Sequence, residues 1–248
     1  MEQDSHVIFV GNMKGGVGKS TLSCYLADYL DKRMRSHVVS VLDTDAQGSS
    51  VEMLSPVMRD GQVKHLPIGG SYDGVNLLSA DTHVRTKLSD HNQILLIDSG
   101  AGKPETIMQL AAMAKCVLVP VSISWTEIRP TQDYIEEIQF FKEANGSNAP
   151  HVIVVPNRLP PQQRDFSLLH DAMQELDVIL APGLSDLSIV RKQSVHFGGL
   201  AATRGTRFYT ELCALGDFIV DYVLSGKIDS YYDDDTRHDG SNIIELHQ

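Results

Sequence analysis

The sequence predicts a doubly wound, mostly parallel α/β sheet of about seven strands with helices on both faces. Three observations carry that expectation. Apolar runs of about five residues recur along the chain (His6–Val10, Val38–Leu42, Ile94–Asp98, Cys116–Val121, His151–Val155) and are continuous, not alternating, as strands covered on both faces are. Stretches with helical spacing lie between them, so strand and helix alternate. Polar residues, Asp43, Asp98 and Asn157 among them, stand at or just past the ends of these runs, where parallel sheets bind ligands.

In chain order, strand His6–Val10 leads through a glycine-rich turn into a helix from about Thr21 to Met34, marked by Leu22, Tyr25, Leu26, Tyr29 and Leu30. Val38–Leu42 is the next strand and ends in Asp43-Thr44-Asp45-Ala46-Gln47-Gly48. Ser55 to Tyr72, rich in Pro, Gly and His, reads as irregular surface. Val75–Ser79 reads as a further strand, with a short helix over Thr82–Leu88. Ile94–Asp98 is a buried strand, Ser99–Pro104 a flexible turn, and Pro104 is suited to the first turn of a helix reaching Ala114. After strand Cys116–Val121, a helix begins at Thr126 or Pro130 and runs to about Glu143, with Ile135, Ile138 and Phe141 on one face. Strand His151–Val155 ends in Pro156-Asn157-Arg158, followed by a helix near Asp165–Glu175, a weaker strand at Val178–Leu180 and a long helix from about Arg204 to Leu224. No linker, composition break or repeat interrupts residues 1–226, which read as one domain. Residues 227–248 form an acidic tail of low apolar content, read as disordered or loosely packed, with Asn242–Leu246 as a segment able to dock.

The chemistry concentrates in Gly11-Asn12-Met13-Lys14-Gly15-Gly16-Val17-Gly18-Lys19-Ser20-Thr21. Strand, glycine-rich turn and helix in this register make a phosphate-binding loop: the glycines let backbone N–H groups converge on an anion, and the helix N-terminus adds free donors and partial positive charge. Lys19 supplies a cation for the terminal phosphates and the Ser20 hydroxyl suits Mg2+. The predicted nucleotide contacts are therefore Gly15, Gly16, Val17, Gly18, Lys19, Ser20 and Thr21. Asp98, one strand-end away, is the natural magnesium partner, directly or through water, with a structural cap as its other reading. Asp43 and Asp45, two residues apart, point in one general direction; one can orient metal-bound water while the other aligns the attacking water. A turn or helix-cap role stays open for Asp43, as does a plain turn role for Asn157.

The loop departs from the commoner pattern: Met13 stands where a glycine is usual, and the extra Lys14 opens it as Lys-Gly-Gly-x-Gly-Lys-Ser. In this it resembles the deviant Walker A box of the ParA/MinD superfamily of ATPases, with likeness covering residues 6 to about 224 and the specific motifs in 11–21, 43–48 and 98–102. The resemblance, closest to the ParA-type partition branch, implies a fold of the P-loop NTPase type and slow hydrolysis of ATP with Mg2+. It also implies a homodimer in the ATP state, in which Lys14 reaches the partner's phosphates. It assigns Asp45 to activating the water, Asp43 to the magnesium shell beside Ser20 and Asp98, Asn157 to reading adenine, and further adenine contacts to the loop near Pro182-Gly183. Asp98-Ser99-Gly100-Ala101-Gly102 resembles the second switch, where Gly100 or Gly102 offers an N–H to the γ-phosphate. Non-specific DNA binding is implied through basic residues of the C-terminal helices, here Arg191, Lys192, Arg204 and Arg207, together with a partner protein that stimulates hydrolysis.

Composition narrows the alternatives. A formal charge of −11 argues against wholesale wrapping of nucleic acid, while leaving room for a local basic patch. The acidic N-terminus lacks a secretory signal, no stretch approaches a membrane span, and three dispersed cysteines (Cys24, Cys116, Cys213) read as buried, reduced thiols; a cytoplasmic protein is expected, which the resemblance makes bacterial, and nucleoid-associated if it binds DNA. The tail lacks the basic amphipathic helix of the membrane-binding branch, so no membrane partner is expected. Two adjacent tyrosines poorly match the tyrosine-kinase branch, and the cysteines do not match the iron–sulfur branch. Only ten residues precede Gly11, which leaves no expected DNA-reading helix-turn-helix. The alternative reading is an adaptor or positioning ATPase, in conjugation, secretion or compartment placement, that does not partition DNA.

Overall fold

The computed structural model describes residues 5–68, 73–100, 104–145, 150–162, 165–193, 197–228 and 243–245. Among the described residues eight strands form one sheet: β1 (His6–Val10), β2 (Val38–Asp43), β3 (Val63–His65), β4 (Gln93–Asp98), β5 (Cys116–Val121), β6 (His151–Pro156), β7 (Val178–Leu180) and β8 (Ile243–Glu245). They lie in the order β3-β2-β4-β1-β5-β6-β7-β8, every pair parallel. Among the described residues the α-helices are α1 (Lys19–Arg33), α2 (Ser49–Leu54), α3 (Asp73–Ser89), α4 (Pro104–Ala111), α5 (Trp125–Asn145), α6 (Ser167–Met173), α7 (Ser188–Gln193) and α8 (Arg207–Phe218), the last continued by a π-helical stretch, Ile219–Leu224.

Strand alternation divides the core in two. Ile8, Val39, Leu96 and Leu118 face α1, α2 and α8, where Tyr25 makes edge-to-face contacts with Phe197 and Phe208 at 4.9 and 4.8 Å. Val7, Phe9, Leu95 and Val117 face α3 to α6. Because both faces are covered, β4 and β5 are buried along their whole length, which is why they are apolar but for Gln93 and Asp98 at the two ends of β4.

Several expectations change. Val75–Ser79 is helical, the first part of α3: Ala80 and Val84 are buried at helical spacing while Val75 and Leu78 face solvent, a stripe that a strand cannot make. The stretch read as irregular surface contains the edge strand β3, paired with β2 from Val41 to Asp43. Helix α5 begins at Trp125, so Pro130 lies within it; Thr131 Oγ1 nevertheless bonds the Glu127 carbonyl at 2.7 Å. The single helix read over Arg204–Leu224 begins at Arg207, after a 3-10 turn at Leu200–Thr203 and Gly205 at φ 77°, and is capped by Thr206 Oγ1 accepting from the Tyr209 N–H. In the tail, Ile243–Glu245 adds β8 beside β7; the rest of 229–248 lies outside the described residues. Cys24 and Cys116 are buried and Cys213 half-buried, all as free thiols.

Candidate nucleotide site

Strand register assembles the site. Val10, Asp98 and Asp43 lie level across β1, β4 and β2, so the loop after Val10 leaves the sheet beside two strand-terminal carboxylates. Asn12 anchors the loop: its Nδ2 donates to the Pro120 carbonyl at 3.0 Å and to Thr131 Oγ1 at 2.9 Å, and its Oδ1 accepts the Lys14 N–H at 2.9 Å. Gly16 and Gly18 have φ of 79° and 91°, a left-handed region that side chains enter at a cost. A Cβ on Gly18 would also stand 2.6 Å from Asn157 Nδ2, so glycine is required there twice over.

Lys19 is 7 % exposed and its Nζ donates to the Lys14 carbonyl at 3.0 Å. Burial pushes its ammonium below the ordinary lysine range, while Asp98 and Asp45 pull it back up. The second lysine, Lys14, is half-buried on the same loop.

Asp98 is fully buried. Its Oδ1 accepts from Ser23 Oγ at 3.0 Å, its Oδ2 from Ser50 Oγ, and Ser20 also donates to it. Loss of solvent pushes the carboxyl up to about 6; the three hydroxyls oppose that shift and nearby Asp43 adds to it. A buried carboxylate ringed by hydroxyls, its charge unfavourable without a counter-ion, fits a hard cation such as Mg2+, with Ser20 and Asp98 as the donors. Ser23 lies three positions after Ser20 on α1, on one face of the helix, a spacing that was the available signal for its hydroxyl; nothing in the sequence marked Ser50.

Asp43 is also buried, with both oxygens turned to backbone: Oδ1 accepts from the Asp45 N–H at 2.9 Å, Oδ2 from the N–H groups of Ser50 at 2.9 Å and Val51 at 3.2 Å. Gly48 precedes α2 without a side chain, so the carboxylate at the end of β2 caps that helix. Burial raises the Asp43 carboxyl and these N–H bonds work against the rise. Asp45 is half-buried; its Oδ1 accepts the Gln47 N–H at 2.9 Å, and its carbonyl is hydrogen-bonded to His65 Nε2 at 2.8 Å. Gly100 lies against it: a Cβ there would stand 3.0 Å from Asp45 Cα. Ala101, Gly102 and Lys103 lie outside the described residues.

Next to the loop a cavity of about 410 Å³, the size of a small-molecule site, is lined by Gly16, Gly18, Asn157, Arg158, Asp186 and Phe208 among others. Asn157 donates from Nδ2 to the Val17 carbonyl at 2.8 Å. The loop after β7 lines the cavity with Leu184, Ser185 and Asp186, just beyond Pro182-Gly183. Glu211 fixes that loop by accepting from the Ser185 N–H and hydroxyl, both at 2.8 Å.

The four basic residues separate into two kinds. Arg207 pairs with Glu211 and donates to the Pro161 carbonyl, and Arg191 pairs with Asp186 at 3.2 Å on the cavity rim. Lys192 and Arg204 are exposed. Among the described residues no group of three or more His, Cys, Asp or Glu side chains forms a metal cluster, and no helix is long and apolar enough to cross a membrane.

The family model described as ParA, the NUBPL iron-transfer P-loop NTPases, matches residues 3–120. Among curated proteins none matches the chain. Among solved structures, cobyrinic acid a,c-diamide synthase from Mycobacterium smegmatis, with bound ATP analogue and magnesium, is 18 % identical at a TM-score of 0.68, covering 90 % of this chain and 96 % of its own. Apo McdA from Cyanothece is 14 % identical at 0.65, covering 86 % and 98 %. A protein named as a plasmid partition protein from Borrelia burgdorferi, bound to AMPPNP, is 16 % identical at 0.62, covering 88 % and 100 %. At these identities the likeness establishes the fold. The matched segment, just under half of the chain, holds the doubled-lysine loop and the ends of β2 and β4, and over those residues the chain is similar to the ParA/MinD superfamily of P-loop NTPases.

Proposed function

We propose that this chain is an ATPase that binds Mg-ATP, closes into a homodimer around it and hydrolyses it slowly, using the cycle to segregate or position DNA or another cargo in the cytoplasm. The observation that carries the reading is the division of labour between two lysines on one loop. Lys19 is buried and faces Asp98 and Asp45, so it serves its own nucleotide; Lys14, on the same loop, is only half-buried, and we assign it to the nucleotide of a second copy. When bound, magnesium supplies positive charge at the phosphate oxygens. Ser20 and Asp98 are the residues to hold it, while Asp43 fixes the backbone of the segment carrying Asp45. Asp45, with one carboxylate oxygen engaged by a single N–H, is the group to align the attacking water. The cavity beside Asn157 takes the base.

Such a site turns over slowly by design, because the transition-state charge is neutralised only when two chains meet. A positioning or partition role is the one named for McdA and for the plasmid partition protein, while the similarly folded cobyrinic acid a,c-diamide synthase is named for a metabolic one; the proposal for the first rests on the doubled-lysine loop. A second reading, a positioning ATPase that does not partition DNA, is favoured by the internal ion pairs of Arg191 and Arg207, which leave Lys192 and Arg204 as the more available phosphate contacts. ATP turnover with and without DNA, alongside sedimentation in ADP and ATP, tests both readings. ATP-dependent dimers that bind DNA with steep salt dependence support the first; ATP-dependent dimers indifferent to DNA support the second.

A further inference from the structure

Among the described residues two non-glycines have positive φ, Asn92 at 55° and Arg158 at 54°. Asparagine tolerates that region; an arginine there costs about 1–2 kcal/mol and needs something to hold it. What holds Arg158 is the phosphate loop. Its Nη1 donates to the Gly16 carbonyl, while its neighbour Asn157 donates from Nδ2 to the Val17 carbonyl at 2.8 Å. Two consecutive carbonyls of the loop are gripped from a single turn at the end of β6.

In a trans peptide the C=O and the N–H of the next residue point in opposite directions. Drawing the Gly16 carbonyl toward Arg158 therefore aims the Val17 N–H away from the β6 turn, and drawing the Val17 carbonyl toward Asn157 does the same for Gly18. We infer that Arg158 is a positioning residue for phosphate binding: its guanidinium presets the peptide planes of the glycine loop so that the amides face the phosphate chain. Gly16 supplies the backbone for this grip through its φ of 79°, and a Cβ there would meet only Arg158 Nη1, at an ordinary 3.9 Å. Arg158 also lines the base cavity, so a competing role is contact with the base. The hydrogen bond it makes, through Nη1, goes to the loop and not into the cavity. Preset amides bind anions better because no reorganisation is left to do at the moment of binding.

The inference rests on the reading that this loop binds a triphosphate, and the test separates the two. Full-length wild type, Arg158→Ala and Arg158→Lys are titrated with Mg-ATP and with Mg-tripolyphosphate, which has neither base nor sugar. Unfolding midpoints of the free proteins are measured in parallel. Arg158→Ala is expected to weaken both ligands by a similar factor of roughly ten, the worth of one charged-donor hydrogen bond. Arg158→Lys, which keeps a donor but loses the fork, should recover part of that loss in both. If the alanine variant does not fold, an intermediate loss of about threefold for both ligands in Arg158→Lys carries the inference. Tripolyphosphate affinity equal to wild type overturns it; a fall confined to ATP would assign Arg158 to the base instead. Should wild type bind neither ligand, the triphosphate reading falls and this inference with it.

Discussion

Replacing Asp98 by Asn should make the free protein more stable and inactive at once. The carboxyl is buried among Ser20, Ser23 and Ser50, and each hydroxyl can rotate to donate to or accept from an amide, so the substitution keeps the hydrogen-bonding shell. Asp98 is held at about 6 against an ordinary 3.8, so at pH 7 its ionisation costs the fold on the order of 3 kcal/mol. Asparagine removes that cost. In a chain of 248 residues each kcal/mol moves the unfolding midpoint by about 2–4 °C, so a gain of roughly 6–12 °C is expected. The sign with pH follows from the raised value. The folded protein holds this proton more tightly than the unfolded chain does, so wild type loses stability as pH rises from about 4 through 6, and the advantage of Asp98→Asn shrinks as pH is lowered. Mg-ATP should stabilise wild type and do much less for the variant, whose turnover should be lost. Thermal unfolding from pH 4.5 to 7.5, with and without Mg-ATP, reads all of this. A variant no more stable than wild type at pH 7, or an advantage that does not vary with pH, would refute the reasoning.

Lys14→Ala should lower the turnover number by about 10²–10³ while leaving Mg-ATP affinity within a few-fold, because its proposed target is the partner's transition state and not its own ground-state complex; unchanged turnover on single-turnover measurement sinks the trans role. Asp43→Ala should destabilise the protein by about 2 kcal/mol in urea melts, since three N–H groups at the switch and the start of α2 lose their acceptor; a loss below about 0.5 kcal/mol would show that the cap does not hold this helix.

The sequence was most informative where local chemistry and global fold agree. Lys14 to Thr21 could be read because glycine spacing, the preceding strand and the following helix each demand the same loop. Buried strands such as Ile94–Asp98 and Cys116–Val121 were legible because a sheet covered on both faces leaves an unbroken apolar run, with the polar Asp98 only at its end. Val75–Ser79 misled because a short apolar run has no period of its own; only burial of Ala80 and Val84 further along reveals the helix. β3 and β8 span three residues each, too short to carry a pattern, and their pairing is decided by the sheet edge they meet. Ser50, Glu211 and Arg158 were illegible for another reason. Each acts on residues far away in sequence: Ser50 on Asp98, Glu211 on Ser185, and Arg158 on a carbonyl 142 positions before it. Arg191 and Arg207 show the converse, since a basic residue looks the same in sequence whether it faces solvent or is tied to an internal carboxylate.

The central proposition is that two chains close around bound triphosphate, each lending Lys14 to the other. It is tested most directly by the mass of the hydrolysis-blocked Asp45→Ala variant, measured by sedimentation equilibrium at saturating Mg-ATP and again in ADP. A dimer in ATP that reverts to monomer in ADP, and that forms poorly when Lys14→Ala is added, is the predicted result. A monomer in both nucleotides would contradict it and leave only a nucleotide pocket at the end of the sheet.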